Sequence, residues 1–239
     1  MLPLKSRMSL VDTVEAEDMA IAKILECVPN GPLAVDCEGI DLGRSGELCI
    51  LQVGCVTKSS AVVFFLFDVC VLGRAMFDRG LRQVLENADI LKLVYDARSD
   101  SDALFAQFDV RLRGLIDLQV AFMKTKQPDA RYLFGMKKAL IAVGISAAFK
   151  DDGQRLFLPE NGGTFQVWKQ RPLIPQLVCY ASDDTASLFK LWNRLKRSVP
   201  LSKAQLVKMS DLRAQMAREA TRELRRRCKW NGGVERESE

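Results

Sequence analysis

The groups able to do chemistry in this 239-residue chain are the carboxylates of Asp36, Glu38, Asp100 and Asp184, joined by the phenol of Tyr180. The chain contains no histidine, so the commonest general base near neutral pH is missing. Hydrolysis by such a set must be run by acids and metal. Four converging carboxylates form a hard-oxygen site suited to Mg²⁺ or Mn²⁺. Two such ions about 3.5–4 Å apart clamp an in-line phosphoryl displacement, one activating water and the other stabilising the leaving oxygen.

The argument for convergence differs from residue to residue. Asp36 and Glu38 are two apart in a strand candidate, 33–38, whose other members are apolar or cysteine, so both acids share one face. Such a pair also fits a solvated face, although the strongly apolar run at 61–66 argues against one. Asp184 carries more weight. In a helix expected over 176–196 the apolar stripe runs Leu177, Ala181, Leu188, Leu191 and Leu195, and position 184 falls where an aliphatic side chain belongs. Tyr180 lies four residues earlier, on nearly the same face. Neighbouring Asp183, off the stripe, is the better match to an acid that merely complements the helix dipole. Asp100 opens another helix after a core strand; here Ser99 or Asp100 could equally be an N-cap, and Asp102 is a rival.

The elements that must position these acids follow from periodicity and breakers. A helix is expected over 14–27, then a Pro-Asn-Gly-Pro break, then strands at 33–38, 47–54 and 61–68 joined by turns short enough for antiparallel pairing. Beyond them a helix at 74–87, strand 91–95, helix 100–107, strand 115–118 and helices 119–125 and 132–143 describe βα units with parallel pairing. Residues 150–175 carry Asn161-Gly162-Gly163 and three prolines and are expected to be irregular. Three antiparallel strands feeding βα units make an α/β fold of the ribonuclease H-like kind, a mixed sheet flanked by helices with its first strand central.

Composition sets the outer bounds. Hydrophobic residues make up 48% of the chain, ample for a core, and the net charge of +5 permits an anionic partner without demanding one. Seven cysteines without CxxC spacing read as buried free thiols in a reducing compartment. No apolar run reaches the length of a membrane span and the amino terminus is unlike a secretory signal, so an intracellular protein, nuclear or cytoplasmic, is expected. Two regions are expected: a domain over 1–198, and a basic amphipathic helix with a polar tail over 199–239. The apolar face of that helix (Leu206, Met209, Leu212, Met216, Ala220, Leu224) should dock on the body. Its basic face, with Arg225, Arg226 and Arg227, could be solvated, a nucleic-acid track or a nuclear import signal.

Three motifs in order resemble the tyrosine-type DEDD 3′–5′ exonucleases, the group of ribonuclease D and, in particular, the exonuclease domains of Egalitarian-like proteins. They are Ala34-Val35-Asp36-Cys37-Glu38-Gly39, continued by residues 47–54; Lys92 to Leu104, including Asp100; and Tyr180-Ala181-Ser182-Asp183-Asp184, preceded by Trp168-Lys169-Gln170-Arg171-Pro172-Leu173. The likeness spans about residues 20–198, and its register favours Asp100 over Asp102. Histidine, frequent in the family at the position of Tyr95, is replaced. The resemblance implies that Asp36, Glu38 and Asp184 hold one Mg²⁺ or Mn²⁺ ion, that Asp36 bridges to a second with Asp100 acting partly through water, and that Tyr180 orients the attacking water. It implies trimming of single-stranded RNA 3′ ends to nucleoside 5′-monophosphates, alone or within an RNA-processing complex, with Leu48 and Gln52 against the terminal nucleotide. A single-stranded DNA exonuclease of the Werner type and a silent RNA- or protein-binding scaffold are the alternatives.

Overall fold

Apolar strands that alternate direction over short turns are the framework of the protein, whose computed structural model describes residues 8–220. β2 (Leu33–Ile40) pairs antiparallel with β3 (Glu47–Val56), which pairs antiparallel with β4 (Val62–Asp68). On its other edge β2 pairs in parallel with β5 (Lys92–Val94), and β5 with β6 (Leu115–Asp117). β1 (Met8–Val11) adds in parallel to β4 and completes a six-stranded sheet ordered β1-β4-β3-β2-β5-β6. The expected mixed sheet with the 33–40 strand inside it is present. The edge strand β1 was not anticipated: four residues paired to a segment some fifty positions away leave no local signature.

Helices cover both faces. Beneath one face Val35, Cys37, Leu51, Val53 and Phe67 pack with Ile21 and Ile24 of α1 (Val14–Cys27). Thr13 caps α1 by accepting from the Ala16 amide. Against the other face Ala34, Ile50, Leu66 and Leu93 pack with α8 (Pro175–Leu195), entered through a proline suited to a first helical turn. Two expected helices are shorter or broken. In the 74–87 segment a wide turn, Phe77–Leu81, is interrupted by Gly80 at φ +124° before α3 (Arg82–Glu86), after the one-turn α2 (Val69–Leu72). The segment 132–143 narrows to α6 (Met136–Ala142), following α4 (Arg98–Phe108) and α5 (Leu118–Lys126).

The largest departure from expectation lies in residues 150–175. Instead of an irregular excursion they begin inside α7 (Ala148–Phe157), whose Lys150, Gly153 and Phe157 are buried at helical spacing. The carboxy-terminal helix α9 (Lys203–Glu219) docks as expected but rotated in part from the expected stripe, of which Leu206 and Ala220 are buried. Leu206, Ser210, Arg213, Ala214 and Ala217 are buried, whereas Leu212 and Met216 of the expected apolar stripe are exposed. Polar contacts set that rotation: Arg213 reaches Asp117 at 2.5 Å, and Asp211 accepts from the edge-strand amides of Gly114 and Leu115 at 3.2 and 2.9 Å. Arg225, Arg226 and Arg227 lie outside the described residues. Cys27, Cys37, Cys49 and Cys55 are buried free thiols, Cys179 is half-buried and Cys70 is exposed. No helix among the described residues is long and apolar enough to cross a membrane.

Candidate active site

The cleft begins where a strand loses its neighbour. β2 pairs with β5 only at Leu33 and Ala34, so from Asp36 onward its β5-side edge is open. Asp36 and Glu38 share the face of Ala34, the face crossed by α8. A bulge between Glu38 and Gly39 ends the regular register, and Gly39 is obligatory there because a Cβ would stand 2.0 Å from the Glu47 carbonyl oxygen. From α8, Asp184 enters the same space in the stripe of Leu177, Ala181, Leu188 and Leu191, all buried. Ligand oxygens of Asp36, Glu38 and Asp184 lie within 4.8 Å of one another.

Asp100 is placed differently. Ala97, with no side-chain hydrogen bond, is the N-cap of α4, so neither Ser99 nor Asp100 does that work. Asp100 is buried in the first turn, outside the three-acid group yet near enough for the Asp36 charge to raise its pKa. Its rival Asp102 is occupied: it accepts from the Arg44 amide at 2.7 Å and from both Nε and Nη2 of that guanidinium at 3.2 and 2.9 Å, locking the β2–β3 loop onto α4. Geometry thus separates two neighbouring acids that spacing left ambiguous.

Like charges crowded and shielded from water hold the protonated form. Burial, then the Asp184 charge, pushes Asp36 up to about 7. Glu38 rises well above its ordinary range through burial and the charges of Asp36 and Asp184. Asp184 also rises by burial, opposed by Lys150 and by a hydrogen bond from Tyr180. The Tyr180 phenol is raised well above its ordinary value by burial and these acids, so it stays protonated as a donor.

Lys150 is the residue that sequence reasoning missed. From α7 its ammonium forms an ion pair with Asp184 and donates to the Tyr180 hydroxyl at 3.2 Å. Phe149, Gly153, Leu156 and Phe157 at helical intervals were the available signal, obscured by the glycine and proline that follow. Trp168 and Phe157 pack against the Tyr180 ring, their centroids 6.2 and 5.2 Å away. Arg171 ties the Trp-Lys-Gln-Arg-Pro segment to the end of β4, bridging Asp68 at 2.5 and 2.6 Å. That motif therefore supports the phenol from behind.

The two suggested nucleotide contacts are placed otherwise. Leu48 is buried with Val35, Cys37 and Leu51 in the cluster beneath the opposite face. The one-residue shift at the bulge turns it there. Gln52 is the cross-strand partner of Asp36, but it is buried and its carbonyl accepts from Thr185 at 2.8 Å, making it a wall of the site. The donor set fits divalent cations: oxygens alone, from three chain segments, with more negative charge than one lysine balances.

Residues 8–200 match the family model described as a 3′-5′ exonuclease. The piRNA biogenesis protein EXD1 of Mus musculus is 32% identical over 178 residues, 71% of this chain and 30% of its own length. The chain thus spans about a third of the length of that relative. Among solved structures, Trypanosoma brucei RNase D in complex with GMP superposes with a TM-score of 0.77 at 24% identity, covering 90% of this chain and 65% of that one. The complex of the same enzyme with RNA U12 gives 0.72 at 25% identity, covering 88% and 70%. The ribonuclease H-like fold is shared.

Proposed function

The chain belongs to the 3′–5′ exonuclease family, and from that premise we propose that it is a metal-dependent exoribonuclease trimming single-stranded 3′ ends to nucleoside 5′-monophosphates. The observation that carries the proposal is the gathering of the Asp36, Glu38 and Asp184 oxygens within 4.8 Å, with the Tyr180 phenol on Asp184. Divalent ions bound there supply charge neutralisation and activation of water.

The chain's own groups do the rest. Asp36, Glu38 and Asp184, with Asp100 beside them, would hold the Mg²⁺ or Mn²⁺ ions. Tyr180, held as a donor, hydrogen-bonds and orients the attacking water. Its ring is fixed by Trp168 and Phe157, so the hydroxyl needs no reorganisation at the moment of attack. The open edge of β2 provides access for a strand end, and the tail carrying Arg225, Arg226 and Arg227 supplies sequence-independent grip on phosphates. RNA is supported as substrate by the RNA-bound RNase D structure and by the name of the EXD1 relative.

The test uses 5′-labelled single-stranded RNA and DNA of the same sequence with Mn²⁺. A ladder shortening from the 3′ end, stopped by a chelator and absent in Asp36→Asn, is expected on RNA. Preference for DNA would move the proposal to the other nucleic acid. Intact RNA with wild-type protein and Mn²⁺ would sink it.

A further inference from the structure

We propose that Lys150 is an internal counter-ion of the carboxylate site that competes with the divalent cation for Asp184, so that metal binding must draw this lysine away. The inference rests on the metal-dependent reading above and makes Lys150 a positioning residue, acting through Asp184 and Tyr180.

Three observations converge on it. The ammonium is the one basic group among the described residues that forms an ion pair with any acid of the site, and it does so with Asp184 while also donating to the Tyr180 hydroxyl at 3.2 Å. The helix that carries it is held without slack. A Cβ at Gly153 would come within 1.9 Å of a Tyr180 ring carbon, so only glycine lets α7 lie this close to α8. Lys137 of α6 pairs with Asp151 on the exposed surface of α7. Finally, the lysine stem is buried beside Phe149 and Tyr180, its ammonium 5.8 and 5.0 Å from their ring centroids.

A buried ammonium on a carboxylate offsets part of the cost of crowding acids there, and so keeps the constellation assembled. The same contact must oppose a metal ion. A second positive charge brought to the same carboxylate weakens its hold on the first, the more so in a medium of low dielectric, and Asp184 belongs to the only three-acid group found among the described residues. Lys150 is too tightly seated to swing away unless α7 or its own rotamer yields. Metal loading and the seating of α7 against Tyr180 are therefore coupled, and the phenol changes its partner when the site fills. A lysine that merely completed the fold would be indifferent to Mn²⁺.

Calorimetric titration of Mn²⁺ into catalytically untested but folded protein reads the competition directly. Lys150→Met and Lys150→Gln should bind Mn²⁺ about tenfold more tightly than wild type, within the usual range of coupling between sites. Lys150→Arg, which keeps the charge, should stay near wild type. Wild type itself gives a second readout that needs no variant to fold. Acylation of the Lys150 amine by a succinimidyl ester, followed by peptide mass spectrometry, should rise when Mn²⁺ is added. Equal or weaker Mn²⁺ binding in folded Lys150→Met, or labelling unmoved by Mn²⁺ in wild type that binds it, overturns the competition while leaving the metal site standing. Absence of Mn²⁺ binding in wild type and variants alike overturns both.

Discussion

Buried and half-buried acids in this protein live in two kinds of neighbourhood. At the junctions of the scaffold each meets an arginine: Asp68 with Arg171, Asp102 with Arg44, Asp117 with Arg213, and Asp96 with Arg98 and Arg213. In the cleft Asp36, Glu38 and Asp100 have no ion-pair partner among the described residues, and Asp184 has only Lys150. Most of the first group joins elements distant in sequence; Arg213 links α9 both to Asp96, just after β5, and to Asp117 at the end of β6. The second stores repulsion that a divalent cation would relieve. Charge balance, not acidity, separates structural from functional carboxylates here.

Exchanging one acid from each neighbourhood tests that division. Asp184→Asn should lower exonuclease activity by about 10³-fold or more, several kcal/mol of transition-state stabilisation. The fold should remain, since the substitution removes a crowded charge and the asparagine carbonyl can still accept from Lys150. Arg213→Met should do the reverse. It strands Asp117, which then faces the cost of a buried, half-broken ion pair, about 3–5 kcal/mol of stability. Denaturant unfolding checks this, with specific activity per folded molecule unchanged. An Arg213→Met protein as stable as wild type would erase the contrast.

A smaller effect tests the packing behind the cleft. Gly153→Ala places a methyl group 1.9 Å from the Tyr180 ring. The clash should cost about 1–3 kcal/mol, the usual penalty of overpacking, and displace the phenol from Asp184. Activity should therefore fall more than stability explains. Gly162→Ala, at a glycine with open space around it, is the control for backbone effects, although its positive φ carries its own modest strain.

How much of this was legible in the sequence tracks how local each signal is. Asp184 stood out because an aspartate interrupts a heptad-like stripe of leucines, and that stripe is buried throughout. Asp36 and Glu38 were readable as one face from period two alone. Asp100 was not readable from spacing and was favoured over Asp102 only by the motif register, because what sets Asp102 apart is Arg44, 58 residues distant in sequence. Lys150 was lost with its helix, whose Asp-Asp-Gly centre and glycine-rich exit resemble a loop. The face of α9 was misjudged because apolar residues were counted as the docking stripe, whereas Arg213 and Ser210 bond to Asp117 and decide the rotation. Polar contacts between remote segments leave no periodicity to read.

The difference between the two neighbourhoods should also appear in the pH dependence of stability. Burial and neighbouring charge raise Asp36 to about 7 and raise Glu38 and Asp100 as well, and burial raises Asp184. A carboxyl raised above its unfolded value near ~4 binds more protons folded than unfolded between those two values. Its stabilising contribution is complete below about pH 4 and is lost as pH rises through the folded value. Metal-free protein should accordingly melt at progressively lower temperature between pH 5 and pH 8. Mn²⁺ binds the deprotonated forms, so the rise in melting temperature it produces should grow over the same interval. Asp36→Asn should flatten the metal-free trend. A metal-free melting temperature that climbs from pH 5 to pH 8 would mean that the cleft acids are already ionised and balanced, by Lys150 or by each other's hydration, and the distinction between the two sets of carboxylates would lose its physical basis.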